Sequence, residues 1–178
     1  MDKKKVYKII SLSSTSADLS GLYSKYCYKF DSINPLESPY QIGIDYYSKD
    51  IQLLSGEVLT FHFWKLYFQA RFNFFLEKLV KDADGGLLMF DLTSKVSLYN
   101  IEMYIRIFRT HDPDLPIILI GDKADLMGMR AYNQEYIEQY ISKNKITLYF
   151  EVFSEKDDNT HIEEMYYRIA RLVFERVN

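Results

Sequence analysis

Short apolar runs alternate along this chain with longer segments whose apolar residues recur at helical spacing, and this alternation restricts the possible folds more than any other feature. Residues 85–92 form an apolar run of the kind seen in strands that are covered on both faces, and residues 117–120 form a second. Between them, Leu98, Ile101 and Ile105 follow one helical face. This alternation predicts a mostly parallel sheet covered by helices on both faces.

The remaining apolar patterns complete a three-layer α/β fold, which we expect to occupy residues 1–178 as a single domain. An early hairpin should give a mostly parallel sheet of about six strands its one antiparallel edge strand, and about five helices should cover the sheet. The other predicted strands are 6–12, 42–54, 58–65 and 148–153, and the predicted helices lie near 19–26, 72–81, 98–112, 136–141 and 162–173.

Composition and charge narrow the possible partners and the compartment. The net charge of -3 and the pI near 5.7 argue against a nucleic-acid binder, whose surface would be basic. A single cysteine, Cys27, cannot form an internal disulfide, so a reducing, cytoplasmic setting is expected. No apolar stretch reaches the length of a membrane span and no lipidation signal is found, so we expect no direct membrane anchor.

Four local strings resemble segments of the Ras superfamily of small GTPases, and of its Rab proteins in particular. They are QIGIDYYSKDIQL, KDADGGLLMFDLTSKVSLYNIEMYI, LPIILIGDKADL and LYFEVFSEKDDN. Together with the order of elements they extend over nearly the whole chain, so the resemblance implies the Ras-like G-domain fold. It also implies a site that holds GTP or GDP with Mg²⁺ at the carboxyl ends of the strands. Each sequence motif that forms this site in the family can be compared with the matching residues of this chain.

The phosphate loop of the family has the pattern GxxxxGK[ST], because backbone amides wrap the phosphates and a lysine neutralises their charge. By position, Ser13 and Asp18 stand at its two glycines, Leu19 at its lysine and Ser20 at its magnesium-binding hydroxyl. Only Ser20 keeps the residue type of the family. Because Leu19 removes a cation and Asp18 adds an anion, we expect tight triphosphate binding to be lost.

The two switch segments also depart from the family pattern. Gln41 stands where a threonine closes on Mg²⁺ and the γ-phosphate, and Lys65 stands where the family has a magnesium-associated aspartate. Phe68 replaces the glycine whose amide meets the γ-phosphate. Gln69 matches the residue that orients the attacking water only by position, so no catalytic residue is predicted. The histidines are far apart in the chain, and no metal site is predicted from them.

The segments that bind the guanine base in the family match this chain more closely than the phosphate loop and the switch segments do. Asp122, Lys123 and Asp125 stand for its Asn-Lys-x-Asp motif, and Ser154 and Lys156 stand for its later Ser-Ala-Lys loop. Asp125 could accept from the N1 and N2 groups of the base, and Lys123 could lie along the base. Asp122 can only accept where the family's amide donates to N7, so the resemblance implies at most a vestigial nucleotide site.

Several functions remain open at this point. The first is a pseudo-GTPase without a cofactor, which acts as a scaffold or adaptor for protein partners that bind its switch and hairpin face. The second is a guanine-nucleotide-binding protein with an atypical loop, with GTP or GDP and Mg²⁺ bound, and with little or no hydrolysis. The third is a binder of a ligand without phosphates in the vacated pocket. The predicted partner-binding residues are Tyr46, Trp64, Tyr67, Phe68 and Phe72.

The substitutions also predict a contact between two charged side chains. Asp18 supplies an anion near the place of the phosphates, and Lys65 supplies a cation near the place of Mg²⁺. We expect the two groups to approach within about 4 Å and to hold the loop without a ligand, although desolvation limits the net gain. The alternative is that both side chains point into solvent.

Overall fold

The computed structural model describes residues 5–30, 44–66, 73–153 and 159–177, with the backbone alone at 73–75 and 159–160. Within these ranges, most elements begin and end within about two residues of their predicted positions, and no described helix is both long and apolar enough to cross a membrane. The strands are β1 Val6–Ser13, β2 Tyr28–Lys29, β3 Ile44–Gln52, β4 Val58–Leu66, β5 Gly85–Asp91, β6 Ile117–Asp122 and β7 Leu148–Glu151. The helices are α1 Ser20–Ser24, α2 Asn73–Val80, α3 Ser97–His111, α4 Gln134–Lys143 and α5 Asn159–Val177, with a short 3-10 turn at Met127–Met129.

The strands form one sheet in the order β2-β3-β4-β1-β5-β6-β7. The strands β4, β1, β5, β6 and β7 are parallel, whereas β3 runs antiparallel to β4 and β2 runs antiparallel to β3. The predicted three-layer α/β architecture is confirmed. The described sheet has seven strands rather than six, because Tyr28 and Lys29 pair with Ser48 and Tyr47 at the outer edge of β3.

Two hydrophobic cores lie on opposite faces of the sheet, because side chains alternate along each strand. In β1, Ile9 packs in the core beneath α1 and α5, while Ile10 packs in the core beneath α2, α3 and α4. The central strands β5 and β6 are buried along their whole length. This burial explains their apolar runs, since helices exclude water from both faces of these strands.

Gly86 in β5 lies directly against the ring of Phe108 from α3. A Cβ atom at this position would lie 2.6 Å from Phe108 Cε2, closer than packed side chains allow. We therefore expect Gly86→Ala to lower the free energy of unfolding by about 1–3 kcal/mol, because a fully buried ring must shift. Gly128→Ala is the control, since its added Cβ would meet nothing within 4 Å. Urea denaturation of the two variants checks the prediction, and equal effects would contradict it.

The parallel strands bring their carboxyl ends to one edge of the sheet, the edge at which α/β folds bind their ligands. Ser13 ends β1, Lys65 lies near the end of β4, and Asp91 and Asp122 end β5 and β6. The register of the sheet pairs Asp91 with Asp122 and Ser13 with Met89. Residues that are far apart in the sequence therefore meet at this edge.

Candidate functional site

The loop that follows β1, residues 14–19, is anchored to the protein at its start. The Ser14 amide donates to the Met89 carbonyl oxygen at 2.9 Å. The hydroxyls of Ser14 and Ser97 are hydrogen-bonded at 2.6 Å, and the Ser97 hydroxyl also accepts from the Asp91 amide at 2.7 Å. Both serines are buried. The start of the loop is thus bonded to β5 and α3 by groups of the chain itself.

Leu19, which the resemblance places at the position of a lysine, is fully buried. It belongs to the core beneath α1 and α5, together with Leu22 and Tyr23 of α1. The Tyr23 hydroxyl donates to the Ser11 hydroxyl at 2.6 Å, which ties α1 to β1. Leu19 therefore anchors the end of the loop in the core and offers no polar group to a ligand.

Asp18, Ser20 and Lys65 form a hydrogen-bonded cluster where the loop enters α1. The Asp18 carboxylate accepts from the Ser20 amide at 2.8 Å. Lys65 donates from Nζ to the Ser20 hydroxyl at 2.5 Å, and the same Nζ lies 3.5 Å from Asp18 Oδ1. The Lys65 side chain is 3% exposed, whereas that of Asp18 is 74% exposed. The predicted approach of Asp18 and Lys65 is observed, with the Ser20 hydroxyl as the closer partner of the ammonium.

The negative charge of Asp18 is stabilised within this cluster. Partial burial acts to raise the pKa of the carboxyl, but the amide and hydroxyl of Ser20 and then the Lys65 ammonium outweigh it, so the pKa lies below its ordinary value. Because Asp18 is largely exposed, water screens its attraction to Lys65, and the ion pair by itself adds little stability. The shorter bond, from the Ser20 amide, fixes the turn that leads into α1.

Lys123 joins three segments at the same edge of the sheet. Its Nζ donates to Asp91 Oδ2 at 2.6 Å and to the Ser16 carbonyl oxygen at 3.0 Å. The other carboxylate oxygen of Asp91 accepts from the amide and the hydroxyl of Thr93. Burial acts to raise the pKa of Asp91, but the bonds from Lys123 and Thr93 outweigh it and hold that pKa below its ordinary value. Lys123 therefore ties the loop after β1 to the ends of β5 and β6.

The other residues of the predicted base-reading motif follow the same edge. Asp122 is buried, and its Oδ1 accepts from the Lys123 amide at 2.8 Å. Asp125 is exposed. Ser154 and Lys156, which were predicted to complete the motif, lie outside the described residues. The structure thus brings Asp122 and Lys123 next to the loop after β1 and leaves Asp125 at the surface.

An open cleft of about 220 Å³ lies beside α1, at the ends of β5, β6 and β7. Its lining includes the carboxyl groups of Asp18 and Asp122, the amine of Lys25, and the apolar side chains of Met89 and Phe153. Within the described ranges, no group of three or more histidine, cysteine, aspartate or glutamate side chains is placed to hold a metal ion. The cleft therefore has one carboxyl group from the loop after β1, a second from the end of β6, and apolar side chains beside them.

Tyr46 on β3 and Trp64 on β4 stand opposite each other in the register of the hairpin. Their rings meet edge to face with centroids 4.7 Å apart, and the Lys8 ammonium lies 4.5 Å from the centre of the Trp64 ring. Both aromatic side chains are half-buried, beside Ile44 and Leu66 of the same two strands. We call Ile44, Tyr46, Trp64 and Leu66 the hairpin face. Outside the described residues lie the other predicted switch residues, Gln41, Tyr67, Phe68, Gln69 and Phe72.

Comparison with known proteins matches residues 28–175 to the Ras family. The chain belongs to the Ras family. It is 23% identical to Ras-related protein YPTC6 of Chlamydomonas reinhardtii, over 97% of this chain and 77% of that protein. It is 24% identical to Ras-related protein rab-11.1 of Caenorhabditis elegans, over 97% of this chain and 79% of that protein. The Ras and EF-hand domain-containing protein homolog of Mus musculus is 28% identical over 97% of this chain, which spans 28% of that protein.

Sequence reasoning missed three residues that hold the loop after β1 of this Ras-family chain. They are Ser14, Asp91 and Ser97, whose bonds connect the loop, β5 and α3. Asp91 carried a usable signal, because it is the one charged residue in the apolar run 85–92. The two serines carried none, since serine is common in loops and at helix starts for local reasons. The family match begins at Tyr28, after this loop.

Proposed function

We propose that this Ras-family chain is a pseudo-GTPase, which binds protein partners through the small-GTPase fold and neither holds GTP tightly nor hydrolyses it. The observation that carries the proposal is the buried Lys65 ammonium, which lies 2.5 Å from the Ser20 hydroxyl. In the family pattern, an aspartate at the position of Lys65 and a hydroxyl at the position of Ser20 serve Mg²⁺. Here a positive charge of the chain itself stands at the aspartate position and is bonded to that hydroxyl.

A divalent cation does not fit beside Lys65. The ammonium and Mg²⁺ would repel each other by about 8 kcal/mol at a separation of about 4 Å and an effective dielectric constant of about 20. The Ser20 hydroxyl accepts a hydrogen bond from Lys65, so its oxygen is turned toward the ammonium rather than toward a metal. Without Mg²⁺, the charge on the β- and γ-phosphates of GTP would lack its main compensation.

The phosphates fit no better than the metal. Leu19 carries no charge with which to compensate them, and its side chain is fully buried in the core. The Ser20 amide, a group of the kind that faces a phosphate at a helix start, is already bonded to the Asp18 carboxylate. A phosphate would have to displace that carboxylate and would meet its negative charge at close range. Asp18 and Lys65 thus serve the loop as an internal anion and cation, and the proposed function needs no cofactor.

A second candidate function is a guanine-nucleotide-binding protein with an atypical loop and little or no hydrolysis. It is favoured by Lys123, whose ammonium bonds to Ser16 of the loop, and by the cleft beside Asp122. Lys123 and Asp125 could still hold a guanine base weakly. The two candidates differ at the phosphates, because only the second requires the loop to accept them.

Nucleotide content separates the two candidates. The purified chain is denatured in acid, and the supernatant is analysed by ion-exchange chromatography beside a Rab-type GTPase that has the complete phosphate loop. We expect less than about 0.1 nucleotide per chain and no thermal shift on adding GTP or GDP with Mg²⁺, because a ligand raises stability only if it binds the folded state. Stoichiometric GDP or GTP in the supernatant would refute the pseudo-GTPase proposal and favour the second candidate.

We further propose that protein partners bind the hairpin face together with the switch residues Tyr67, Phe68 and Phe72. Aromatic side chains supply large contact areas and are enriched at interface centres, and half-buried Tyr46 and Trp64 are of this kind. Since no γ-phosphate is held, this surface should keep one conformation. The net charge of -3 does not favour nucleic acid as a partner, and the proposed setting is the cytoplasm.

A further inference from the structure

Lys8 lies in β1, beside the hairpin face. In the register of the sheet Lys8 pairs with His62 of β4, and Trp64 is two residues further along the same strand. Side chains two residues apart on a strand point to the same face, so the side chains of Lys8 and Trp64 lie on one side of the sheet. Both side chains are half-buried. A charged residue of β1 is therefore a direct neighbour of an aromatic residue of the hairpin face.

The Lys8 ammonium contacts two elements at once. It lies 4.5 Å from the centre of the Trp64 ring, and it donates to the Leu79 carbonyl oxygen at 2.7 Å. Leu79 is in the last turn of α2, where carbonyl groups lack partners within the helix and favour a cation. The charge of Lys8 thus joins β4 to the end of α2.

The backbone of Lys8 is held by the turn between α2 and β5. Its amide donates to Asp84 Oδ2 at 2.7 Å, and its carbonyl oxygen accepts from the Asp84 amide at 2.8 Å. Burial lowers the pKa of the Lys8 ammonium, and the carboxylates of Asp82 and Asp84 oppose this shift. The ammonium is thus partly removed from water, with two carboxylates to balance its charge.

Trp64 is the single tryptophan of the chain, and its ring is contacted from several sides. Tyr46 meets the ring edge to face, with centroids 4.7 Å apart, and Lys8 lies over the ring. Trp64 also packs against the core that contains Leu76 and Leu79 of α2. These contacts favour one orientation of the ring. A ring that is already ordered loses less conformational entropy when a partner binds.

We propose that Lys8 is a positioning residue of the partner-binding surface, which holds the Trp64 ring and the end of α2 in one fixed arrangement. The proposal rests on the proposed function, because it takes the hairpin face as the surface that protein partners bind. Lys8 acts through Trp64, whose ring it keeps in the orientation that the partner contacts. The surface is then preformed without a γ-phosphate, and it continues from the hairpin face to the end of α2.

Fluorescence of Trp64 tests the role of Lys8 without a partner, with excitation beyond the absorption of tyrosine. Lys8→Ala uncovers the ring, so acrylamide should quench Trp64 faster in this variant than in the wild type. Lys8→Arg should restore the wild-type quenching, because a guanidinium also stacks on an aromatic ring. Lys5→Ala is the matched control and should leave quenching unchanged. The Lys5 ammonium lies 5.2 Å from the centre of the Phe174 ring, which packs against the core on the opposite face of the sheet.

Single-domain antibodies are the probe for binding. They are selected on the wild-type chain and depleted on Trp64→Ala, so that each antibody retained depends on Trp64. We expect them to bind Lys8→Ala about fivefold more weakly than the wild type, because ordering one side chain has a cost of this size. Lys8→Arg and Lys5→Ala should stay within about twofold of the wild type. Lys8→Met keeps the stem without the charge; it replaces the alanine variant if that does not fold, and the same loss of affinity is expected.

The proposal is overturned by equal quenching in Lys8→Ala and the wild type, or by antibodies that bind both equally. It is also overturned by losses that Lys8→Arg does not recover, or by equal losses in Lys5→Ala, because the cation at Trp64 would then have no specific role. A failure of the proposed function gives a different result. Stoichiometric nucleotide in the purified chain would refute the pseudo-GTPase proposal and would leave the differences between these variants unchanged.

Discussion

The double variant Asp18→Gly/Leu19→Lys should have a free energy of unfolding about 3 kcal/mol lower than that of the wild-type chain. It should bind GTP no more tightly than the wild-type chain does. Leu19 is fully buried in the core beneath α1 and α5, where truncation of a leucine alone costs about 2–5 kcal/mol. A lysine at this position must either bury its charge or withdraw from the core and leave a cavity. Both outcomes destabilise the fold, so restoring these two residues of the family pattern harms this chain.

The same variant should not regain GTP because the obstacle to the metal lies elsewhere. Lys65 still places an ammonium at the Ser20 hydroxyl, and Gln41 and Phe68 still stand at the switch positions that serve the γ-phosphate in the family. The ammonium that Leu19→Lys introduces would be a second cation near the first, and their repulsion weakens any gain from neutralising phosphate.

Urea denaturation measures the loss of stability, and isothermal calorimetry with GTP and Mg²⁺ measures binding. A loss of about 3 kcal/mol corresponds to a fall of about 6–12 °C in the melting temperature of a chain of this size. Asp18→Gly alone is the control, because it removes the bond to the Ser20 amide but keeps Leu19, and the lost hydrogen bond should cost about 1 kcal/mol. Sub-micromolar GTP affinity in the double variant would mean that Lys65 is not the obstacle.

The parts of the fold that follow from local pattern were predictable from the sequence. β5, β6 and α3 have the strongest patterns because both faces of the strands and one face of the helix are buried. β2 has no such pattern, since Tyr28 and Lys29 are exposed and become a strand only by pairing with β3. α1 is shorter than predicted, and ends at Ser24 although Tyr26 continues the apolar spacing.

The geometry of the candidate site was predictable only for residues whose positions relative to the phosphates and Mg²⁺ are known from the family pattern. The contact between Asp18 and Lys65 could be expected, because their positions surround the same phosphate and metal sites in the family. The burial of Leu19 could not be predicted, since a leucine beside a loop can face either a ligand or the core, and only tertiary packing decides between them. The ties of Asp91 to Lys123 and Thr93 likewise depend on three segments meeting at the sheet edge.

The second large effect should come from Asp91→Ala, which we expect to lower the free energy of unfolding by about 3 kcal/mol. The Asp91 side chain is 3% exposed and uses both oxygens, one for Lys123 and the other for the amide and hydroxyl of Thr93. Alanine would leave the Lys123 ammonium with the Ser16 carbonyl oxygen as its remaining described partner. Removing one partner of a buried ion pair costs about 3–5 kcal/mol, and the low end applies because Lys123 is partly hydrated.

Glu102→Ala is the control for this prediction. Glu102 pairs with Arg106 at 3.3 Å on one turn of α3, where the Arg106 side chain is 77% exposed. An ion pair of this kind contributes about 0.3–0.5 kcal/mol, because water screens it. Thermal and urea denaturation should therefore show a much larger loss of stability for Asp91→Ala than for Glu102→Ala. Comparable losses would show that the Asp91 contacts contribute no more stability than a surface ion pair.

The dependence of stability on pH distinguishes the charge of Asp91 from its packing. Because the folded chain holds the pKa of Asp91 below its ordinary value, the carboxylate contributes stability above the ordinary carboxyl range, and this contribution is lost as the pH falls through the lowered pKa. The difference in unfolding free energy between the wild type and Asp91→Ala should therefore be largest near neutral pH and shrink below about pH 4. Other carboxyl groups titrate in both proteins and cancel in the difference. A difference that stays constant into strong acid would mean that alanine loses packing around β5 rather than the bonds of a charged carboxylate to Lys123 and Thr93.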